Sequence, residues 1–290
     1  MLLAYPSTGM RRAGSPPKAR SASVPPVTAE VQRDERGGWT VLRDTHPQSY
    51  VDLDDPALLV FEYVQHLALA LDTMPEGRLA ITHVGGAGLT LPRYVEHTRP
   101  GSPQIVLEPD EGLTALVRRE VPLPRRHRIR VRPLDGLTGV SALADDSADV
   151  VVVDAFDAGQ VPAELTGATM TDQVQRVLSA RGLLLFNLAD EPGLHHVARV
   201  TATLRRALPH VAVIGATEVT KGRRFGNIVL IAGHRPLPET ELARRVARSD
   251  FPTTFWGAAR TARWAAGAVA FAATGEPSPP PPQPGEWRRR

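Results

Sequence analysis

Short apolar runs alternate along this chain with longer stretches of helical period. Trp39 to Leu42 and Ser49 to Leu53 read as brief strands. Pro56 to Asp72 reads as a helix, with Asp54 or Asp55 as its cap and Pro in its first turn. Arg78 to Val84 is an apolar strand ending at Gly85-Gly86-Ala87-Gly88, and a helix follows over Leu91 to Thr98. Gln104 to Leu107, Ile129 to Pro133, Asp149 to Val153 and Gly182 to Asn187 continue the strands. Helical patterns at Asp110 to Arg119, Thr171 to Leu178 and Leu194 to Ala207 fall between or after them. The unbroken valines of 149–153 suit a strand covered on both faces. Val211 to Thr217 and Asn227 to Ala232 flank a polar loop, Glu218 to Gly226. Such alternation predicts an open α/β sheet, mostly parallel, with helices on both faces and antiparallel last strands. Pro238 to Ala247 and Gly257 to Ala273 read as appended helices, the second carrying Trp256 and Trp264 on one face.

Composition sharpens the boundaries. Of 27 Pro among 290 residues, eleven lie in 1–27 and 276–290, which marks tails rather than folded chain. The expected organisation is a disordered tail over 1–37, a β lead-in and first helix over 38–77, and a nucleoside-binding α/β domain over 78–235. C-terminal helices over 236–274 and a Pro-rich disordered tail over 275–290 complete it. Charge divides the same way. Residues 1–39 and 236–290 each carry a net +3, so with a total of +3 residues 40–235 sum to about −3. A mildly acidic centre does not suit nucleic acid, which needs a clustered basic face. The Arg125 to Arg132 cluster alternates around Ile129 and Val131 like an exposed strand edge. No apolar run approaches the roughly 18 residues of a membrane span. The absence of Cys excludes thiolate metal sites and a Cys nucleophile. His195-His196 lacks a third ligand, so no metal is expected. A soluble cytoplasmic protein is the expectation.

Ligands of open parallel sheets sit beyond the carboxyl ends of the strands. The first strand is followed by the glycine loop, whose small residues admit a ligand close to the backbone. A dinucleotide fingerprint is incomplete there, because Leu91 stands where its third Gly belongs. Glu108 follows the second strand, suited to the hydroxyls of a ribose. Asp135-Gly136 follows the third, Asp154-Ala155-Phe156-Asp157 the fourth and Asn187 the fifth. Each acid alone could be a turn former. Together, and without a Walker lysine, they suit a positively charged nucleoside such as adenosine on a sulfonium better than a nucleotide triphosphate.

Over about Gln48 to Pro236 the sequence resembles the spermidine synthase family, on the Rossmann-like fold of S-adenosylmethionine-dependent methyltransferases. The resemblance is carried by Asp149-Val-Val-Val-Val-Asp154-Ala-Phe-Asp157 with Val161-Pro-Ala-Glu-Leu165. Leu107-Glu108-Pro109-Asp110, Asp135-Gly136 and Phe61-Glu62-Tyr63 add to it. It implies aminopropyl transfer from decarboxylated S-adenosylmethionine to putrescine or a similar amine, leaving methylthioadenosine. Gly85, Gly86, Gly88, Glu108, Asp110, Asp135 and Gly136 would hold the donor, Asp154 would be catalytic, and Asp157 and Tyr63 would hold the acceptor. Homodimers are common in that family, so a homodimer is the implied assembly. Three departures keep other readings open. Gly88 stands where the family has an acid for the donor's amino group, Ala158 replaces a Pro, and the late loop offers Lys221, Arg223 and Arg224 but no Tyr. A small-molecule methyltransferase using S-adenosylmethionine, or a nucleoside-binding homologue without turnover, are the alternatives.

Overall fold

The computed structural model describes residues 29–43, 46–86 and 88–282. The expected tail at 1–28 and the end of the Pro-rich tail, 283–290, lie outside the described residues. The chain opens with an antiparallel three-stranded sheet of β1 (Ala29–Arg33), β2 (Trp39–Arg43) and β3 (His46–Val51), in that order. Strand β1 corrects the expected 1–37 tail. Its sequence AEVQR carries one strongly apolar side chain, so the period-2 signal is faint. Pairing with β2, from Ala29 opposite Arg43 to Arg33 opposite Trp39, supplies the order instead. Asp34 closes the hairpin by accepting from the Gly38 N–H and the Tyr50 hydroxyl, each at 2.9 Å.

Helix α1 (Glu62–Leu71) starts six residues later than Pro56. Asp54 and Asp55, read as caps, belong to turns instead: their N–H groups donate to Asp52 at 2.8 and 2.9 Å, and Asp55 accepts from the Ala57 N–H at 3.1 Å. Then come β4 (Ile81–Val84), α2 (Thr90–Thr98), β5 (Gln104–Leu107), α3 (Glu111–Glu120), β6 (Ile129–Arg132), α4 (Gly136–Ser141) and β7 (Ala148–Val153). The second half comprises α5 (Ala163–Thr166), α6 (Ala168–Val177), β8 (Leu178–Asp190), α7 (His195–Leu204), β9 (His210–Ala216), α8 (Thr217–Thr220), β10 (Gly226–Gly233), α9 (Glu239–Val246), β11 (Thr253–Trp256) and α10 (Ala258–Trp264).

Eight strands form the main sheet in the order β11-β9-β10-β8-β7-β4-β5-β6. Strands β4 to β8 are mutually parallel, while β10 runs antiparallel between β8 and β9, and β11 antiparallel beside β9. This is the Rossmann-like α/β architecture of the expectation, with β11 as an added edge. Strand β7 shows why the sheet is covered twice. Val151 and Val153 enter a core with Phe186 and Leu184, whereas Val150 and Val152 enter another with Leu67 and Leu71. All are at most 1% exposed, and each buried Val, Leu or Phe side chain contributes about 1.5–3 kcal/mol. The arginines of 128–132 lie on and just before the opposite edge strand, β6, where charge discourages further strand pairing.

Two further corrections concern the C-terminal part. Helix α10 ends at Trp264 rather than Ala273. Trp256 belongs to β11, not to that helix, although its ring still meets Trp264 edge-on at 5.2 Å. The first residues of the expected disordered tail are packed in place. Gly275 donates to the Ala163 carbonyl at 3.2 Å, and Ser278 to that of Val161 at 3.1 Å. The Ser278 hydroxyl, fully buried, accepts from the Val161 N–H at 2.8 Å. No helix among the described residues is long and apolar enough to cross a membrane.

Candidate active site

From β4 the chain crosses successively to β5 and β6, and from β7 it crosses to β8 on the other side. The crossovers diverge between β4 and β7, so a crevice opens beyond their carboxyl ends. A cleft of about 500 Å³ occupies that place, a size that suits a small-molecule ligand of roughly 300–1,000 Å³. It is lined by Gly85, Gly86, Glu108, Asp135, Gly136, Asp154, Asp157 and Tyr63. Three parallel strands, β5, β6 and β7, thus deliver the carboxylates that follow them to one cavity, and β4 delivers its glycines.

Gly85 has φ +81°, and a β-carbon on it would run into the Asp154 carbonyl. Only Gly lets β4 and β7 turn off so close together. A β-carbon on Gly86 would stand 2.6 Å from Val106. Gly88 and Asp110 are not brought to the cleft wall. The Gly88 N–H donates to Ser49 Oγ at 3.0 Å, and a β-carbon there would stand 2.7 Å from that of Ser49. Its smallness serves the docking of β3. Asp110 caps α3 by accepting from the Leu113 N–H at 2.8 Å. Glu108 is 9% exposed and accepts from the Asp110 N–H at 3.1 Å. Asp135 caps α4, and the Thr138 N–H at 2.8 Å holds its carboxyl below the usual range.

The Asp154 carboxyl is strongly perturbed. Burial pushes it up to about 6, against the opposing pull of a hydrogen bond from Asn187 Nδ2 at 2.8 Å. Asn187, on β8, is fully buried, and its Oδ1 accepts from Asn227 Nδ2 on β10 at 3.0 Å. Three adjacent strands therefore supply a chain from Asn227 through Asn187 to Asp154. Burial, and secondly the Asp154 charge, push the Tyr63 phenol well above its usual range, so it stays protonated at neutral pH. Asp157 lies in a tight turn, exchanging backbone hydrogen bonds with Gln160 at 2.8 and 2.9 Å.

Several lining groups had no signal in the sequence. Arg43, Gln48 and Ser49 come from the small sheet, which walls the cleft on one side. The Arg43 guanidinium lies 3.9 Å from the Asp110 carboxylate. Gln48, Tyr63 and Phe156 also line a second cavity of about 430 Å³. Arg224 of the late loop borders it and pairs with Glu62 at 3.4 Å, whereas Arg223 pairs with Glu218 at 3.1 Å. His83, in the middle of β4, pairs with Gln104 at 2.9 Å, and burial holds it near 4, uncharged. Among the described residues no group of three or more His, Asp or Glu is placed to hold a metal ion.

No protein-family model and no curated protein matches the chain. Solved structures do. A probable spermidine synthase from Corynebacterium glutamicum ATCC 13032 superimposes with a TM-score of 0.79 at 27% identity, over 86% of this chain and 94% of that one. The chain has a spermidine synthase-like fold. Two more distant structures share that fold. A spermidine synthase from Thermotoga maritima matches at 14% identity and TM-score 0.54, over 82% of this chain and 80% of that one. A spermidine synthase in complex with the transition-state analogue AdoDATO matches at 13% identity and TM-score 0.53, over 83% and 80%. In the spermidine synthase-like fold of this chain, the cleft between β4 and β7 is the concave face where the carboxylates converge.

Proposed function

We propose that this chain is a spermidine synthase-like transferase that moves an aminopropyl group from decarboxylated S-adenosylmethionine to an amine acceptor. Putrescine is the acceptor that the sequence resemblance implies. The observation that carries the reading is the convergence of Glu108, Asp135 and Asp154 on one cleft, with Asp154 held near 6 by burial. As the family resemblance implies, Glu108 takes the ribose hydroxyls and Asp135 the adenine edge. Gly85 and Gly86 let the nucleoside approach the backbone. Such a donor supplies a carbon beside a sulfonium, whose C–S bond breaks as the new C–N bond forms, the sulfur keeping the electron pair as a neutral thioether.

The remaining task is proton removal and alignment. An acceptor ammonium has no lone pair, and Asp154 takes its proton. A carboxyl near 6 is ionised at neutral pH yet more basic than a solvated one. The Asn187 amide fixes one Asp154 oxygen and leaves the other for the amine. Tyr63 stays protonated and offers a hydrogen bond beside the same carboxylate. Asp157 adds a negative charge at the mouth. In-line attack then needs positioning more than further chemistry.

One observation favours a second reading, methyl transfer from S-adenosylmethionine itself. Arg43 reaches the cleft, and its guanidinium can pair with the carboxylate that the decarboxylated donor lacks. Release of methylthioadenosine from decarboxylated S-adenosylmethionine, measured with an amine panel and with Asp154→Asn, tests the proposal. Acceptor-dependent release that the substitution lowers at least a hundredfold is expected. S-adenosylhomocysteine formed from the carboxylated donor, with no methylthioadenosine from the other, would establish the second reading.

A further inference from the structure

Beyond α10 the chain returns to α5, α6 and the loop that follows β7. The Ala168 N–H donates to the Ala272 carbonyl at 2.8 Å, and the Thr169 N–H to that of Ala273 at 3.1 Å. Thr166 Oγ1 donates to the Glu276 carbonyl at 2.8 Å, and the Glu276 carboxylate pairs with Arg199 at 2.8 Å. Past these ties the segment meets the loop after Asp154. The Gln160 side chain donates to the Ser278 carbonyl, and the buried Ser278 hydroxyl takes the Val161 N–H. Pro281 sits over Gly159, where a β-carbon would stand 2.8 Å from the proline Cγ. Phe156, Gly159 and Pro281 line the second cavity together, and Phe156 and Asp157 line the first.

The turn that the segment covers is strained. Between Asp157 and Gln160 the two central residues, Ala158 and Gly159, have φ +47° and +78°. A two-residue turn with both φ positive favours Asn and Gly. Gly159 adopts it freely, whereas Ala158 is disfavoured there by a factor of roughly 5–30. A Pro at 158, with its fixed negative φ, could not enter this turn. Such a conformation persists where its surroundings hold it. One hold is the pair of backbone hydrogen bonds between Asp157 and Gln160. The other is the segment, through Gly159, Gln160 and Val161. Pro277 and Pro279 to Pro282 leave that segment little freedom to lose on docking.

We infer that the Pro-rich segment 275–281 is a positioning element for the acceptor: it holds the left-handed turn, which fixes where Phe156 and Asp157 stand, and Pro281 completes the wall of the second cavity. This rests on the transferase reading above and adds to it a determinant outside the sheet. The segment makes and breaks no bond; it acts through the turn. Released from it, the turn relaxes and the placed arrangement falls to a minor fraction. Apparent affinity for the acceptor then falls by the same factor. Gly85, Glu108 and Asp135 line the first cleft, whose described wall contains none of residues 275–281. Donor binding is therefore spared.

Putrescine serves as the probe, titrated calorimetrically into the full chain saturated with methylthioadenosine, and varied in the methylthioadenosine-release assay. The double variant Gln160→Ala, Pro281→Gly should raise its Kd and KM by about 5- to 30-fold, the factor held back at Ala158. The kcat at saturating amine and the affinity for methylthioadenosine should stay within about twofold. Adding Ala158→Gly, which takes the left-handed turn without penalty, should bring the Kd back to within about threefold of the parent. Either single substitution should show the same split at smaller size, which keeps the test where the double variant fails to fold. A double variant that binds putrescine like the parent, or that loses kcat and methylthioadenosine affinity in proportion, would overturn the inference alone. A parent that binds methylthioadenosine but no amine would overturn it together with the acceptor half of the transferase reading.

Discussion

Replacing Asn187 by Ala should move the acid limb of the pH–rate profile and leave the alkaline plateau nearly in place. Asn187 gives Asp154 a hydrogen bond of 2.8 Å, the stabilising contribution that opposes its burial. A hydrogen bond to a charged group is worth about 1.5–3 kcal/mol. One pH unit corresponds to about 1.4 kcal/mol, so its loss should raise the Asp154 carboxyl by about 1–2 units from its value of about 6. At pH 7 the ionised fraction then falls roughly two- to tenfold, while at pH 9 most of the carboxyl is ionised in both proteins. The assay is kcat/KM for methylthioadenosine release between pH 5 and 9. Asn227→Ala, which removes only the outer link, should shift the limb in the same direction by less. A limb that stays near 6 while the plateau drops would show that Asp154 is not the group whose ionisation limits turnover.

Asp154→Asn should abolish transfer yet stabilise the fold. The carboxyl is raised above its unfolded value, so the stability it allows is complete below about 4 and is lost as pH rises through about 6; the melting temperature of the variant should exceed that of the parent at pH 8. The buried His66, His83 and His196 act oppositely, all held near 4, so calorimetric stability should decline as pH falls from about 6.5 to 4. Gly85→Ala should weaken methylthioadenosine binding at least tenfold, since the new β-carbon displaces the Asp154 backbone. Ser278→Ala leaves the buried Val161 N–H unpaired and should cost about 1–3 kcal/mol in denaturant melts; no change would mean the tail segment is not docked in solution.

The parallel strands were legible because their cue is local. The run 149–153 needs cover on both faces, and the carboxylates at its end and at Glu108 and Asp135 follow from where such strands stop. Gly88 and Asp110 lie off the cleft wall for a related reason. A motif gives adjacency along the chain, but Ser49 on β3 claims the space around Gly88, and Asp110 is spent on capping α3. The second cavity was least visible. Phe61 and His66 of one helix and its cap, Phe156, Phe225 and Pro281 come from four distant segments that share no period. Strand β1 and the docked Ser278 have the same character, since their order comes from partners far along the chain. Asn187, expected at a strand end, lies inside β8, and its bond to Asp154 depends on the register of β7 against β8.

The most direct test of the central claim is calorimetric titration of the full chain with methylthioadenosine, repeated with Glu108→Gln and with NAD as a control ligand. Saturable binding of methylthioadenosine in a one-to-one ratio is predicted, weakened at least tenfold by the substitution, with no heat from NAD. Binding of NAD in preference to methylthioadenosine, or no binding of any sulfonium nucleoside or its product, would contradict the account.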